Sequence, residues 1–224
     1  MQPRIRKLPS KTVISDEARI VALIDRHEFS KVVRLALKSR QLDAQSLLTI
    51  AVKIAESNYW GAKFVFEKAF EIGANAPEAY YLYGNYLKNA GKFRKAEELF
   101  RKASLKYPEL HSIFTELGVV LLLLKKPEEA QVQLRRSVEL NPNDAYAWTS
   151  LGSALMITGK NDEAEIAHKK SIEVDPEFPI SYLNLMHLYE DMGRIEEMKQ
   201  MRDKVSTLAS NLKKYRVKSI IMKN

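Results

Sequence analysis

A set of residues recurs at intervals of 34 positions through the middle of the chain. Residues 145–178 show it most clearly, because Trp148, Leu151-Gly152, Ala164 and Pro176 follow one another in that order. The matching residues of the two preceding intervals are Phe114, Leu117-Gly118, Ala130 and Pro142, and then Tyr80, Tyr83-Gly84, Ala96 and Pro108. Self-similarity at a fixed period predicts an array of stacked helical repeats, each packing mainly on its neighbours.

The recurring residues also predict a pair of closely packed helices in each repeat. We expect a glycine of the first helix to face an alanine of the second, in the pairs Gly84 with Ala96, Gly118 with Ala130 and Gly152 with Ala164. Turns between the two helices are predicted at Gly91-Lys92, at Gly159-Lys160 and, in the middle repeat, at Lys126-Pro127-Glu128. The closing prolines end each second helix, because proline lacks the N–H and clashes with the preceding turn.

This pattern resembles the tetratricopeptide repeat family, whose spacing is met by Trp148-x2-Leu151-Gly152 and by Ala96-x3-Phe100 before a proline. The resemblance implies an all-α fold, a right-handed α-solenoid of stacked antiparallel helix pairs. Extended in both directions, the period gives a helical repeat domain over residues 13–212, with repeats of 13–42, 43–76, 77–110, 111–144, 145–178 and 179–212. A flexible basic arm, residues 1–12, would precede it, and a basic tail, residues 213–224, would follow. Trp60, at the start of a second helix, is expected to pack between neighbouring repeats.

The charge of the chain is concentrated at its ends. The net charge is +8, and nine of the 36 Lys and Arg residues lie in residues 1–12 and 213–224, which contain no acidic residue. The remaining 27 basic residues are matched by the 28 acidic residues of the body. A basic groove along the repeats is therefore not predicted, and nucleic acid is an unlikely partner of the body.

The sequence contains few of the residues that catalysis or metal binding requires. Cysteine is absent, and only four histidines are present. His168 occupies the position of Phe100 and Leu134, so we interpret it as a half-buried packing residue. His187 precedes Glu190 and Asp191 at helical spacings, but a charged helix surface often shows such a trio by chance. We predict a non-enzymatic protein with no cofactor and no metal site.

Nothing in the sequence predicts a membrane segment. The longest apolar run, residues 119–124, is far shorter than the roughly 18 residues that a membrane span requires. The first residues are charged and no apolar stretch follows them, so no signal peptide is expected. Together with the absence of cysteine, this favours a cytoplasmic protein.

The family resemblance implies a concave groove, lined by positions 2, 5, 9 and 12 of successive repeats. Ten residues at these positions form the predicted binding surface, namely Tyr81, Asn85, Lys88, Thr115, Val119, Leu122, Tyr146, Thr149, Ser153 and Met156. Some family members hold acidic chaperone tails with a lysine and asparagine clamp. Only Asn85 matches that clamp, because its other positions hold Tyr81, Glu116, Tyr146 and Ser150. A chaperone-tail adaptor is therefore not expected.

The run from Leu117 to Leu124 is apolar on all sides, which is typical of a helix buried on more than one face. It is either an over-hydrophobic core helix, with or without the chain's own C-terminal segment covering it, or part of a groove for an apolar partner segment. The leading hypothesis is a protein-protein interaction scaffold or adaptor that binds a protein or peptide in the groove. The alternatives are binding of nucleic acid or an acidic surface through the basic tails, and the repeat subunit of a multi-chain enzyme complex. Self-association is also possible.

Overall fold

The computed structural model describes residues 15–57 and 60–208, and 79% of this part of the chain is helical, with no strand. Twelve helices follow one another in the described residues. They are α1 (Asp16–Asp25), α2 (Phe29–Lys38), α3 (Ala44–Glu56), α4 (Ala62–Glu71), α5 (Pro77–Asn89), α6 (Phe93–Lys106), α7 (His111–Leu123), α8 (Pro127–Leu140), α9 (Ala145–Ile157), α10 (Asn161–Val174), α11 (Pro179–Asp191) and α12 (Ile195–Leu208). The predicted all-α fold of helix pairs is confirmed. The basic arm and the basic tail lie outside the described residues.

The chain divides into two compact units, residues 1–82 and residues 83–224. The boundary falls within α5, so it does not coincide with a boundary between repeats. In the first unit, α1 packs against α2 and α3, while α2 and α3 both pack against α4. In the second unit, consecutive helices from α6 to α12 pack against each other, and α9 also contacts α7 and α11.

Short polar residues and prolines set where the helices begin. The side chain of Ser15 accepts a hydrogen bond from the N–H of Ala18 at the start of α1. Asp144 does the same for Ala147 at the start of α9. Pro127 and Pro179 stand in the first turns of α8 and α11, where the missing N–H has no intrahelical partner to lose.

Turns inside the repeats require a left-handed backbone conformation. Gly91 and Gly159 adopt it with φ of 71° and 73°, and the predicted turns at these positions are confirmed. Lys125 stands at the equivalent position of the middle repeat and has φ of 60°, although it has a side chain. His27 does likewise between α1 and α2, with φ of 56°. This conformation is unfavourable for residues other than glycine, because the side chain crowds the backbone.

The helices of the second unit approach closely at glycine, but not opposite the residues that the sequence predicted. The nearest side chains to Gly84, Gly118 and Gly152 are Phe100, Leu134 and His168, and an added Cβ would overlap each of them. The expectation that alanines face these glycines was wrong, because the large residue four positions after each alanine reaches across the helix pair. The alanines themselves are fully buried.

Trp60 also differs from its predicted role. Its side chain is 68% exposed and packs edge-on against Phe64, with 5.7 Å between the ring centroids. Packing between neighbouring repeats would require a buried ring, so this expectation was wrong.

Along the described residues, none of the helices combines the length and apolar character needed to cross a membrane.

Candidate functional site

The structure separates the ten predicted groove residues by their exposure. Tyr81 belongs to the first unit and is exposed, while the other nine belong to the second unit. Five of those nine are half-buried, namely Asn85, Lys88, Tyr146, Ser153 and Met156. The remaining four are buried, namely Thr115, Val119, Leu122 and Thr149. The accessible part of the predicted surface in the second unit therefore lies mainly on α5 and α9.

Thr115 and Thr149 belong to a network of buried hydroxyl groups. Thr115 Oγ1 lies 2.6 Å from Ser137 Oγ, which donates to the carbonyl of His111 at 3.0 Å. Thr149 Oγ1 donates to Ser171 Oγ at 2.8 Å, and Ser171 Oγ donates to the carbonyl of Ala145 at 2.7 Å. The second set is the first moved by 34 positions, so both threonines link the two helices of a repeat. That recurrence of Thr and Ser was visible in the sequence and could have predicted the structural role.

Val119 and Leu122 lie on a helix that is buried along most of its length. All residues from Ile113 to Leu122 are buried, and α7 packs against α6, α8 and α9. Val119 exposes 4% of its surface and Leu122 exposes 6%. A partner would therefore reach little of either side chain in the described conformation.

Lys88 is engaged by a carboxylate of the same unit. Its ammonium group donates a short hydrogen bond to Oε2 of Glu116, and both side chains are largely shielded from water. The contact joins α5 to α7. Lys88 is thus held in place and does not present a free charge to a partner.

A pocket of about 640 Å³ opens beside the first turn of α9. It is lined by residues of α7, the loop before α9, the first turn of α9, and the end of α10 with the loop that follows, namely Glu116, Asn141, Asn143, Asp144, Ala145, Tyr146, Val174, Asp175 and Phe178. We call this the α9 pocket. Its lining combines three carboxylates with aromatic and aliphatic side chains and includes no lysine or arginine. Of the predicted groove residues, only Tyr146 lines it.

Local hydrogen bonds fix the loop that forms one wall of the α9 pocket. Asp144 caps α9, and its second oxygen lies 3.3 Å from Nδ1 of His111, although no hydrogen bond joins these two atoms. The other ring nitrogen of His111 lies 3.1 Å from Nδ2 of Asn141, and Asn141 accepts a hydrogen bond from the N–H of Asn143. Carrying over groove positions considers only the inner faces of helices, so it missed these loop residues. The cluster Asn141-Pro-Asn-Asp144 was the available signal, since such residues favour turns and caps.

A series of polar contacts joins each repeat of the second unit to the next. Lys126 Nζ donates to Glu97 at 2.9 Å, Lys160 Nζ to Gln131 at 3.0 Å, and Arg194 to Glu165 at 2.6 Å. The three donors are 34 positions apart, and so are the three acceptors. We call this series the inter-repeat ladder. The sequence analysis missed it, although the recurrence of a cation and a polar acceptor at the repeat period was the signal.

Three residues, Lys169, Arg194 and Tyr189, contact the carboxylate of Glu165, whereas two, Arg101 and Lys126, contact that of Glu97. Burial by itself would raise the pKa of the Glu165 carboxyl, but hydrogen bonds from Lys169, Arg194 and the Tyr189 hydroxyl lower the pKa to about 2. The guanidinium of Arg194 also lies over the Tyr189 ring, 4.4 Å from its centroid. Glu165 is therefore ionised at neutral pH and held by several donors, which is the geometry of a structural ion cluster.

His168 is a packing residue, as predicted, but it is completely buried instead of half-buried. Neither ring nitrogen has a hydrogen-bond partner among the described residues. Burial lowers the pKa of His168 to about 3, because an imidazolium would lose its hydration without gaining a counter-charge. His168 is therefore a buried neutral ring that packs against Gly152 of α9.

No group of three or more His, Asp or Glu side chains in the described residues is placed to hold a metal ion. His187, Glu190 and Asp191 therefore do not converge as ligands, although their spacing on α11 would permit it.

Comparison with known proteins identifies the repeats. Two models described as tetratricopeptide repeat match residues 81–135 and 134–166. The chain is similar to YrrB, described as a TPR protein with an unusual peptide-binding site, at 28% identity and a TM-score of 0.60; the match covers 87% of this chain and 93% of YrrB.

More distant solved structures share the fold. A thermophilic TPR protein of Thermus thermophilus matches at 22% identity and a TM-score of 0.64, covering 79% of this chain and 96% of that one. MamA of Desulfovibrio magneticus matches at 22% identity and a TM-score of 0.63, covering 78% of this chain and 97% of that one. The curated proteins contain no match.

Proposed function

Residues 81–166 of this chain are tetratricopeptide repeats, and from that premise we propose that the chain is a non-enzymatic scaffold that binds a segment of a partner protein along α9. The fold supports a role in protein interaction in general. The observation that carries the finer proposal is the α9 pocket and its continuity with the accessible residues of the same helix.

One face of α9 offers a continuous stripe to a partner. Tyr146, Ser153 and Met156 are spaced by seven and three positions, so they lie on the same side of the helix. All three are half-buried, whereas Thr149 between them is turned into the hydroxyl network. Asn184 of α11 donates to Ser153 Oγ at 3.0 Å, which leaves that hydroxyl in a fixed position. A partner segment lying along this stripe would meet an ordered surface and would lose little affinity to ordering it.

The α9 pocket indicates which side chains such a segment would insert. Its aromatic wall, formed by Tyr146 and Phe178, suits the aliphatic stem of a long side chain. Its lining includes the carboxylates of Asp144 and Asp175, so a lysine or arginine of the partner would find complementary charge there, whereas Glu116 is already paired with Lys88. Engagement of a peptide segment is also the activity that the description of YrrB reports for that protein.

The test is a quantitative pull-down with the intact chain, followed by affinity measurement for the partner that is recovered. Tyr146→Ala with Met156→Glu should reduce the affinity at least about tenfold, because both ends of the stripe are altered. Val132→Ala with Ile166→Glu is the matched control, since these apolar residues are exposed on α8 and α10. Recovery of the same partners at the same affinity by both double variants would contradict the proposal.

A further inference from the structure

A second concave surface lies in the first unit, between α1 and α2. This cavity of about 450 Å³ is lined by Arg19, Ala22, Leu23, Arg26, Lys31, Arg34, Leu35 and Lys38. We call it the basic pocket. Five of its eight lining residues are cationic and the other three are apolar, so a hydrophobic floor lies between positively charged rims.

Three of the five cations have no partner among the described residues. Arg19 pairs with Asp16 at 3.6 Å, and Lys31 pairs closely with Glu28, the residue that precedes α2. Arg26, Arg34 and Lys38 make no ion pair or side-chain hydrogen bond with any described residue, and all three are exposed. Unlike the cations of the inter-repeat ladder, these three remain available to carboxylates of another molecule.

The floor of the basic pocket faces away from the core of its unit. Ile20, Val32 and Ala36 are the buried residues of α1 and α2. Leu23 and Leu35 are only half-buried and Ala22 is exposed, and no residue of α3 or α4 lines the pocket. The apolar floor is thus an uncovered groove between two helices in the described part of the first unit.

We propose that the basic pocket binds an acidic amphipathic helix of another protein. Apolar side chains on one face of that helix would contact Leu23 and Leu35, and flanking Asp or Glu residues would pair with Arg26, Arg34 and Lys38. Helix-in-groove recognition uses such a stripe of apolar anchors. Charge complementarity selects acidic flanks, because opposite potentials align across protein interfaces.

The charge pattern of this chain argues against an occupant from its own ends. Residues 1–12 and 213–224 carry nine basic residues and no acidic residue, so either segment would place like charges against the rims. A nucleic-acid backbone would satisfy the cations but would leave the apolar floor unused. These considerations favour a segment that offers both carboxylates and apolar side chains.

The probe is a fluorescent synthetic helix of about 18 residues with a leucine stripe flanked by glutamates. A second peptide keeps the leucines and replaces every glutamate by glutamine. Binding to the full chain is measured by fluorescence anisotropy at low and at physiological ionic strength. We expect the acidic peptide to bind at least about tenfold more tightly than the glutamine peptide, and to weaken as salt is raised.

Two triple variants distinguish the effect of the basic pocket on peptide affinity from the effect of net charge. Arg26→Glu with Arg34→Glu and Lys38→Glu should lower the affinity for the acidic peptide by about tenfold or more. Lys95→Glu with Lys102→Glu and Lys204→Glu changes the net charge equally, at exposed residues that have no partner in the described part of the chain, and should retain binding. Circular dichroism establishes that both triple variants are folded. Tyr146→Ala with Met156→Glu should bind the acidic peptide normally, so this result is independent of the α9 proposal.

Several outcomes would overturn the inference. Equal affinity for the two peptides would show that the glutamates do not contribute to binding. An equal loss of affinity in the two triple variants would show that binding does not depend on the basic pocket. Vesicles containing phosphatidylserine and a single-stranded oligonucleotide are tested alongside the peptides. If either of these binds in a manner that requires Arg26, Arg34 and Lys38 while the acidic peptide does not bind, the partner class proposed here is wrong.

Discussion

In the second unit a polar contact recurs from one repeat to the next, whereas the first unit uses contacts that have no counterpart one repeat later. Glu97, Gln131 and Glu165 each accept a hydrogen bond from a lysine or arginine of the following repeat. In the first unit, Ser46 Oγ of α3 donates to Glu17 of α1 at 2.9 Å, but the positions 34 residues further on hold Tyr80 and Ala51. Where the residues recur at 34 positions, the polar contacts between repeats recur as well.

The difference extends to the charged residues that the helices leave unpaired. In the second unit the ladder cations are occupied by carboxylates or an amide, and Lys88 is held by Glu116. In the first unit, Arg26, Arg34 and Lys38 surround an apolar floor without a partner among the described residues. Cations that are unpaired within the described residues also occur in the second unit, at Lys95 and Lys102. In the first unit, however, three of them line one pocket with an apolar floor, which is where we place the second docking surface.

The largest expected effect tests whether the two units differ in their apolar cores as well. Phe100→Ala should lower the free energy of unfolding by about 3–5 kcal/mol, because the ring is fully buried and contacts Gly84. Phe66→Ala is the matched change in the first unit, where the ring is equally buried, and should cost a similar amount. Denaturant titration followed by circular dichroism measures both. A much smaller loss for Phe66→Ala would show that the contrast between the units includes the core.

The next largest effect is a pH dependence of stability caused by His168, a residue of the second unit. The folded-state pKa of His168 is about 3, below its ordinary value of 6.5, so folding favours the neutral ring. Stability is therefore complete above pH 6.5 and falls as the pH is lowered toward 3, by up to about 1.4 kcal/mol per pH unit. His168→Leu places at this position the residue found at Leu134 and should remove the pH dependence. The free energy of unfolding of the variant, measured relative to wild type, should therefore be about 2 kcal/mol higher at pH 5 than at pH 7.

Denaturant titrations of both proteins at pH 7, 6 and 5 provide the measurement for His168. His27→Leu is a control, since His27 is exposed on the turn between α1 and α2. An unchanged pH slope in His168→Leu would mean that acid destabilises the chain through other groups.

Glu165→Gln tests the strength of the inter-repeat ladder. Gln131 occupies the equivalent position and still accepts from Lys160, so glutamine should keep the geometry and lose only the charge. We expect a loss of about 1 kcal/mol at neutral pH. Hydrogen bonds lower the pKa of Glu165 to about 2, so its contribution is present above the ordinary value of 4.5 and lost as pH falls toward 2. Wild type and variant should therefore converge in stability only as the pH approaches about 2, and a constant difference would contradict the assignment.

The sequence predicted the helix pairs well because their landmarks are packing residues that repeat at one period. Gly152 and Pro176 need only a close approach and a helix end, and both requirements are local. The binding surface depends on which side chains are exposed to solvent, and the 34-residue period of the sequence does not predict that. Val119 was assigned to the groove by its position, yet neighbouring helices bury it. Asn141 and Asp144 lie in a loop whose role emerges only when α7, α9 and α10 are brought together.

The smallest expected effect compares one turn from each unit. Lys125→Gly should raise the free energy of unfolding by about 0.5 kcal/mol, because relief of a left-handed conformation exceeds the added freedom of glycine in the unfolded chain. Glycine already stands at the equivalent positions Gly91 and Gly159, so the substitution restores the pattern of the second unit. His27→Gly makes the same change in the first unit, where the ring of His27 packs edge-on against Phe29 at 5.7 Å. We expect a smaller gain there or none, because that contact is lost, and an equal gain in both turns would show that backbone strain alone decides.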